Sequence, residues 1–347
     1  MLQPTTHDRN FYQQLKIILE TEAVVVATIV KVMGSAPREV GAKMAVLADG
    51  SIIGTIGGGA GEGKVIKQAL AVLKTGNKQL VEVDLTGTPG EDVQGVCGGK
   101  VQVWLEKWSG ENAVTLVEQI LKLFESGQSG KLITPFTQTR PYLIVENSSF
   151  KNGRLAKRPY AFIETIQPPP MLLIIGGGHI ALALAQIASF AGFEIVVQDD
   201  RPEFITPQRF PQAAFLTQSI DEALDRFIIH QQLYIALVTR GLPQDIAALK
   251  AILQRPLIYQ YIGAIGSQKR IRQIDRAIPN SLKKLPNFYA PIGLDIGALN
   301  PEEIAVSICG ELIKVRRGGT GLSLCDRLEH SRSKKVHIGE LLYAKLQ

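Results

Sequence analysis

Apolar residues recur at helical spacing over residues 9–20, RNFYQQLKIILE, and give way to a β-branched run, AVVVATIVKVM (23–33), that reads as a buried strand. Gly34-Ser35-Ala36-Pro37-Arg38 breaks the run. KMAVLADGSIIGTI (43–56) predicts two short strands folded about Asp49-Gly50, a dipeptide that favours a hairpin turn. Gly57-Gly58-Gly59 follows, and EGKVIKQALAVLKTG (62–76) has helical periodicity with a glycine stop. QLVEVDL (79–85) alternates as a strand, TGTPGEDVQGVCGG (86–99) is a loop, and KVQVWLE (100–106) is a strand. A second helix is predicted from about Glu111 to Ser126, and 131–166 reads as three short strands.

Gln167-Pro168-Pro169-Pro170 marks a boundary, because consecutive prolines continue neither a helix nor a central strand. Beyond it strands alternate with helices. The strands are 171–175, 194–198, 213–216, 233–239 and 258–265; the helices fall near 179–190, 219–228, 243–254, 267–277 and 301–314. Such alternation predicts a parallel sheet with helices on both faces.

A chain of 347 residues favours two or three domains. The sequence predicts an α/β protein with an N-terminal mixed α/β domain over 1–110 and a connecting segment with short strands over 111–166. A C-terminal Rossmann-like parallel-sheet domain spans 167–315, and a tail covers 316–347. At 45% hydrophobic and 20% charged residues, the composition excludes long disorder and a fibrous chain. Three dispersed cysteines, with no CxxC pair, exclude a disulfide scaffold and suit reduced thiols in a cytoplasmic protein. No apolar stretch is long enough to span a bilayer, and the amino-terminal residues lack a secretory layout. The net charge of +6 favours an anionic partner. Its scattered lysines and arginines point to a phosphorylated small molecule, with no nucleic acid and no membrane as partner.

Gly176-Gly177-Gly178-His179-Ile180-Ala181 fits G-x-G-x-x-A between a strand and a helix. Gly176 allows the tight turn, Gly178 lets the backbone approach a phosphate, and Ala181 permits close helix packing. Asp199 lies near the offset of about 20 residues expected for a ribose-binding acid, although the adjacent Arg201 weakens that inference. The alternative is a glycine turn that has lost its ligand. His179 either donates to a phosphate or is a solvated helix-start residue. Gly266, Ser267, Lys269 and Arg270 form a second candidate anion site, or else an N-cap with surface charges.

In the N-terminal half, Gly57, Gly58 and Gly59 precede Glu62 and suggest a backbone that approaches a ligand or another strand closely. Ser35, Arg38 and Lys43 are candidates to converge with that turn around an anion. Cys97, flanked by glycines, is either an accessible thiolate able to contact a soft metal or sulfur, or a small buried hydrophobe. Cys309 reads as core.

Taken together, GSAPREVGAKMAVLADGSIIGTIGGGAGEGKV (34–65), VCGGKVQVWLE (96–106), LLIIGGGHIALALAQIASFAGFEIVVQDDRPEF (172–204), YIGAIGSQKR (261–270) and PIGLDIGALNPEEIAVSICGELI (291–313) resemble the XdhC/CoxI family of xanthine dehydrogenase accessory proteins. The resemblance implies a chaperone, more an accessory protein than a turnover enzyme. It would bind the molybdenum cofactor, as molybdopterin or its cytidine dinucleotide form, and insert it into an apo molybdenum hydroxylase. It implies a cysteine desulfurase as a further partner, allows a homodimer, and makes Cys97 a candidate molybdenum contact. Two positions depart from the family pattern: Ala60 stands where a cysteine is common, and Thr239-Arg240 where a Thr-His pair is. Two other classes stay open, an NAD(P)-dependent or other nucleotide-dependent oxidoreductase using the same turn and a non-catalytic protein-binding adaptor.

Overall fold

The β-branched run becomes β1 (Val24–Met33), and Val24–Ile29 are buried on both of its faces. This is a computed structural model, and it describes residues 6–85, 98–145, 160–279 and 285–326. β1 is the middle strand of an antiparallel sheet ordered β3-β2-β1-β5-β4. The others are β2 (Lys43–Val46), β3 (Ile52–Gly54), β4 (Gln79–Asp84) and β5 (Lys100–Trp108). The β2–β3 hairpin turns at Asp49-Gly50, where Gly50 adopts φ 85°. Alternation sends Val25, Ala27 and Ile29 to one face, under Val65, Ala69 and Val72 of α2 (Gly59–Thr75). Val24 and Val26 face α1 (Thr6–Leu19) and α3 (Gly110–Ser126).

The stretch 111–166 does more than connect. Leu116, Val117 and Ile120 of α3 pack with Leu15 of α1, and Leu132 and Ile166 join the same core. Those last two lie on β6 (Gly130–Pro135) and β8 (Ala161–Ile166), which with β7 (Tyr142–Val145) form a sheet ordered β7-β6-β8. Helical periodicity showed the apolar stripe of α3 but not its partner. Lys43 binds Glu164 of β8 at 2.5 and 2.6 Å, with both side chains only 8% exposed.

The buried prolines pass directly from β8 to β9 (Met171–Ile175). The second sheet is parallel, ordered β11-β10-β9-β12-β13-β14. Its other strands are β10 (Glu194–Gln198), β11 (Ala213–Thr217), β12 (Leu233–Leu237), β13 (Tyr261–Ala264) and β14 (Phe288–Tyr289). This order reverses direction between β9 and β12, the crevice where doubly wound sheets bind ligands. α4 (His179–Phe190) and α8 (Pro301–Arg317) cover one face. α5 (Ile220–Asp225), α6 (Leu242–Leu253) and α7 (Gln268–Ala277) cover the other. Among the described residues, no helix is long and apolar enough to cross a membrane.

The two halves meet at the amino edge of the parallel sheet. Arg9 pairs with Glu194 at the start of β10, and the Gln231 amide donates to the Gly127 carbonyl at 2.8 Å. A Cβ on Gly127 would lie 2.6 Å from the imidazole of His230. Burial first, and then Arg9, hold that histidine down to about 4, so it is neutral at the contact. Arg317, at the end of α8, reaches Glu39 at 3.2 Å.

Candidate functional site

The three glycines after β9 are glycine for different reasons. At Gly176, φ is 108° and an added Cβ would sit 2.7 Å from the Val238 carbonyl oxygen. At Gly177 it would sit 2.8 Å from the Phe204 carbonyl oxygen. At Gly178 it would meet nothing within 4 Å, and φ is an ordinary −73°. Protein packing therefore requires the first two and leaves the space above the third open. Gly178 is also the N-cap of α4 and supplies no capping side chain. The first-turn amides of α4 thus face that space, as in an anion site. His179 is exposed there, without a hydrogen-bond or ionic partner among the described residues, and Ala181 is fully buried against the sheet.

Asp199 does not wait for a ribose. Its Oδ1 accepts from the Arg201 amide at 3.0 Å and from Arg201 Nε at 2.9 Å. Its Oδ2 accepts from the Gly177 amide at 2.7 Å and from an Arg201 terminal nitrogen at 2.9 Å. A carboxylate offers about four acceptor positions, so this one is saturated. Arg201 also stacks on Phe204, 3.6 Å from the ring centroid, and the side chain of Arg209 donates to the Gly177 carbonyl at 3.0 Å. The segment after β10 thereby fixes the glycine turn from outside. Burial alone would raise the Asp199 carboxyl, but Arg201 and the Gly177 amide outweigh it and hold it at about 2. A depressed folded-state value contributes stability above the unfolded value near 4, and loses it as pH falls through about 2. The unfolding free energy of the wild type is therefore expected to fall more steeply between pH 4 and pH 2 than that of Asp199→Asn. Equal slopes in urea titrations across that range would contradict this.

Beside the turn, a cavity of about 280 Å³ opens between the ends of β9, β10 and β12 and the start of α6. Ile175, Ile220 and Pro243 line it together with the polar residues Gln198, Gln218 and Gln244. Across it Arg240 binds Asp200 through two bonds of 2.5 and 2.7 Å. The pair is exposed, in contrast to the Asp199 clamp.

The second predicted anion turn is largely self-satisfied. Ser267 caps α7, accepting from the Arg270 amide at 3.3 Å. The aliphatic stem of Arg270 covers Gly266, and its guanidinium binds Asp245 at 2.6 Å and Thr239 Oγ1 at 2.9 Å. Asp245 is fully buried and also accepts from Thr239 Oγ1 at 2.6 Å. Lys269 is exposed and has no hydrogen-bond or ionic partner among the described residues. Sequence reasoning missed Asp245, Asp200, Gln218 and Gln244. Asp245 reads as an ordinary first-turn helix acid, and its burial comes from α7 packing over α6.

In the N-terminal domain, Glu62 occupies the place of an external anion. Its Oε2 accepts from Thr55 Oγ1 at 2.6 Å and from the amides of Ile56 and Gly58 at 3.1 and 3.2 Å. Gly57 yields to Pro37, whose Cγ would lie 2.6 Å from an added Cβ, whereas Gly58 and Gly59 face open space at positive φ. Gly99 packs on Ser35, with an added Cβ 2.2 Å from its carbonyl oxygen. The loop 34–38 thus touches both glycine segments. Lys43 is turned away to Glu164, and Arg38 is half-buried. Cys97 lies outside the described residues, and Ala60 is in the first turn of α2. No group of three potential metal ligands occurs among the described residues.

These two regions are not one pocket within a chain. The Glu39 loop meets the carboxyl end of α8, and the Gly178 turn lies at the opposite edge of the parallel sheet. The 17 residues of α8 span about 25 Å between those edges.

A family model described as the XdhC Rossmann domain matches residues 172–312, and one described as the XdhC and CoxI family matches residues 18–84. The chain is 29% identical over 333 residues to a protein of Bacillus subtilis (strain 168) described as a probable subunit of xanthine dehydrogenase, covering 89% of this chain and 98% of that one. It is 24% identical over 307 residues to the molybdenum cofactor insertion chaperone PaoD of Escherichia coli (strain K12), covering 87% of this chain and 86% of that one. A crystal structure from Bacillus halodurans, described as a xanthine dehydrogenase, matches with a TM-score of 0.71 at 26% identity, covering 89% of this chain and 96% of that one. Models of one family match both halves, and the fold agrees along nearly the whole length, so the chain belongs to the XdhC and CoxI family.

Proposed function

We propose that this chain is an accessory protein that carries the molybdenum cofactor, a phosphorylated pterin, as cargo and delivers it to an apo molybdenum hydroxylase. The observation that carries the reading is the open space above Gly178, at a helix start with no side-chain cap. A phosphate placed there meets the amides of the first turn of α4 and the side chain of His179. The names of two relatives support the reading, one a probable subunit of xanthine dehydrogenase and the other a molybdenum cofactor insertion chaperone. In this reading Cys97 offers a soft thiolate to molybdenum or its sulfur, acting without a second cysteine at position 60. Lys269 adds positive charge at the same sheet edge as the Gly178 turn.

The nicotinamide-dependent alternative is weakened by Asp199, whose saturated carboxylate leaves no acceptor for a ribose hydroxyl. The chain does contain a Tyr-x-x-x-Lys spacing at Tyr12 and Lys16, a pairing used for proton transfer in some reductases. Here Tyr12 is buried beside Phe11 and Phe124, and Lys16 pairs with Glu118, both on α1 in the other domain.

Co-expression with cofactor biosynthesis, followed by purification and assay of molybdenum and pterin, tests the proposal. Wild type is expected to carry both in comparable amounts, and Cys97→Ala to lose molybdenum preferentially. Wild type with neither above background would overturn the reading. Equal loading of both proteins would remove only the role of Cys97.

A further inference from the structure

The amino edge of the parallel sheet, where open α/β folds do not ordinarily bind ligands, carries a second cavity of about 390 Å³. It lies where the two halves of the chain meet, a strand's length from the glycine turn, and the cofactor reading makes no use of it. Arg9 and Glu125 reach it from α1 and α3, and Glu194, Arg226 and His230 from the other half. Met171, Val196, Phe227 and Ile229 supply apolar wall. The volume lies within the roughly 300–1,000 Å³ typical of small-molecule pockets.

Three of the polar groups around this cavity have no protein partner to satisfy them. His230 is only 8% exposed. Its Nδ1 accepts from the Gln232 amide at 3.3 Å, so the neutral ring carries its proton on Nε2, and no described residue accepts that proton. The guanidinium of Arg226 lies over Phe215, 4.4 Å from the ring centroid, and donates to no described acceptor. Glu125 is exposed and makes no hydrogen bond or ion pair with a described residue. Arg9 and Glu194, by contrast, neutralise each other. A fixed guanidinium and a buried N–H suit a carboxylate, and Glu125 suits a cation. Two arginines face two glutamates across the cavity, so a simple anion would leave an excess of negative charge there, whereas a zwitterion leaves none.

We propose that this cavity binds an apolar α-amino acid as its zwitterion. The carboxylate sits on Arg226 and the His230 N–H, the ammonium on Glu125, and the side chain against Met171, Val196 and Phe227. The ligand touches both halves of the chain and so ties them together. This site is independent of the cofactor reading, since it shares no residue with the glycine turn.

Titration calorimetry on the full chain with glycine, leucine and phenylalanine tests the site, alongside the amide and the desamino acid of each of the two larger ligands. Leucine or phenylalanine is expected to bind at least tenfold more tightly than glycine, and at least tenfold more tightly than its own amide and desamino acid. The tighter ligand should also raise the midpoint of thermal unfolding with concentration. Arg226→Gln, at an exposed position, should bring the ratio of amino acid to amide to about one. Glu125→Gln, also exposed, should do the same for the ratio of amino acid to desamino acid. Thermal unfolding without ligand checks that both variants fold. No saturable binding of leucine or phenylalanine, analogues that bind as tightly as the parent, or ratios unchanged in the folded variants would overturn the proposal.

Discussion

Gly176→Ala is expected to destabilise the protein by about 3 kcal/mol or more, and Gly178→Ala by about 1 kcal/mol at most. The two residues are separated by one position in the same turn. At Gly176 the new methyl would meet the Val238 carbonyl oxygen at 2.7 Å and Thr239 Cα at 3.0 Å, in a backbone conformation that L residues rarely adopt. Both obstacles are main-chain atoms at the end of β12 and cannot rotate away. At Gly178 the methyl enters open space at an ordinary φ, and only a mild N-cap preference is lost. Urea unfolding at neutral pH, read as midpoints with unchanged slopes, measures the difference. Similar costs at both positions would mean that packing fixes Gly178 too, and the main argument for a ligand there would fall.

Asp245→Ala is expected to cost about 3–5 kcal/mol, the range for removing one partner of a buried ion pair. Asp245 is fully buried between Thr239 and Arg270, and its loss removes the carboxylate that balances the guanidinium, leaving it only the hydroxyl and carbonyl of Thr239. Burial pushes the Asp245 carboxyl above its ordinary range, while Thr239 and Arg270 work in the opposite direction. The carboxylate ties the end of β12 to α6 and α7. A cost under about 1 kcal/mol in urea unfolding would contradict the assignment, since exposed pairs behave that way.

The strand-and-helix order of the C-terminal domain was legible because each strand is a short apolar run bounded by a turn, and several of its helices carry a local side-chain cap. Asn300 and Glu303, which close a reciprocal capping box on α8, are one such local signal. The glycine turn was legible for the same reason, since its motif is contiguous. What the sequence concealed depends on contacts across chain distance or on competition for one group. Asp199 has the spacing of a ribose acid, but Arg201 folds back and fills it. Ser267 has the look of an anion ligand, but its hydroxyl caps its own helix. Glu62 stands close to three glycines, and only the fold shows its carboxylate taking the amides of Ile56 and Gly58. The stretch 111–166 reads as a connector because its apolar stripe finds its partners on α1 and β1, about a hundred residues upstream.

Open space above one glycine, at the uncapped start of α4, is the proposed seat for phosphate. Gly178→Val, co-expressed with cofactor biosynthesis and purified alongside the wild type, tests it most directly, with pterin and molybdenum per chain as the readout and thermal unfolding as the check on folding. The expected result is a folded variant whose pterin and molybdenum content drops at least tenfold. A folded Gly178→Val protein that carries as much of both as the wild type would contradict it.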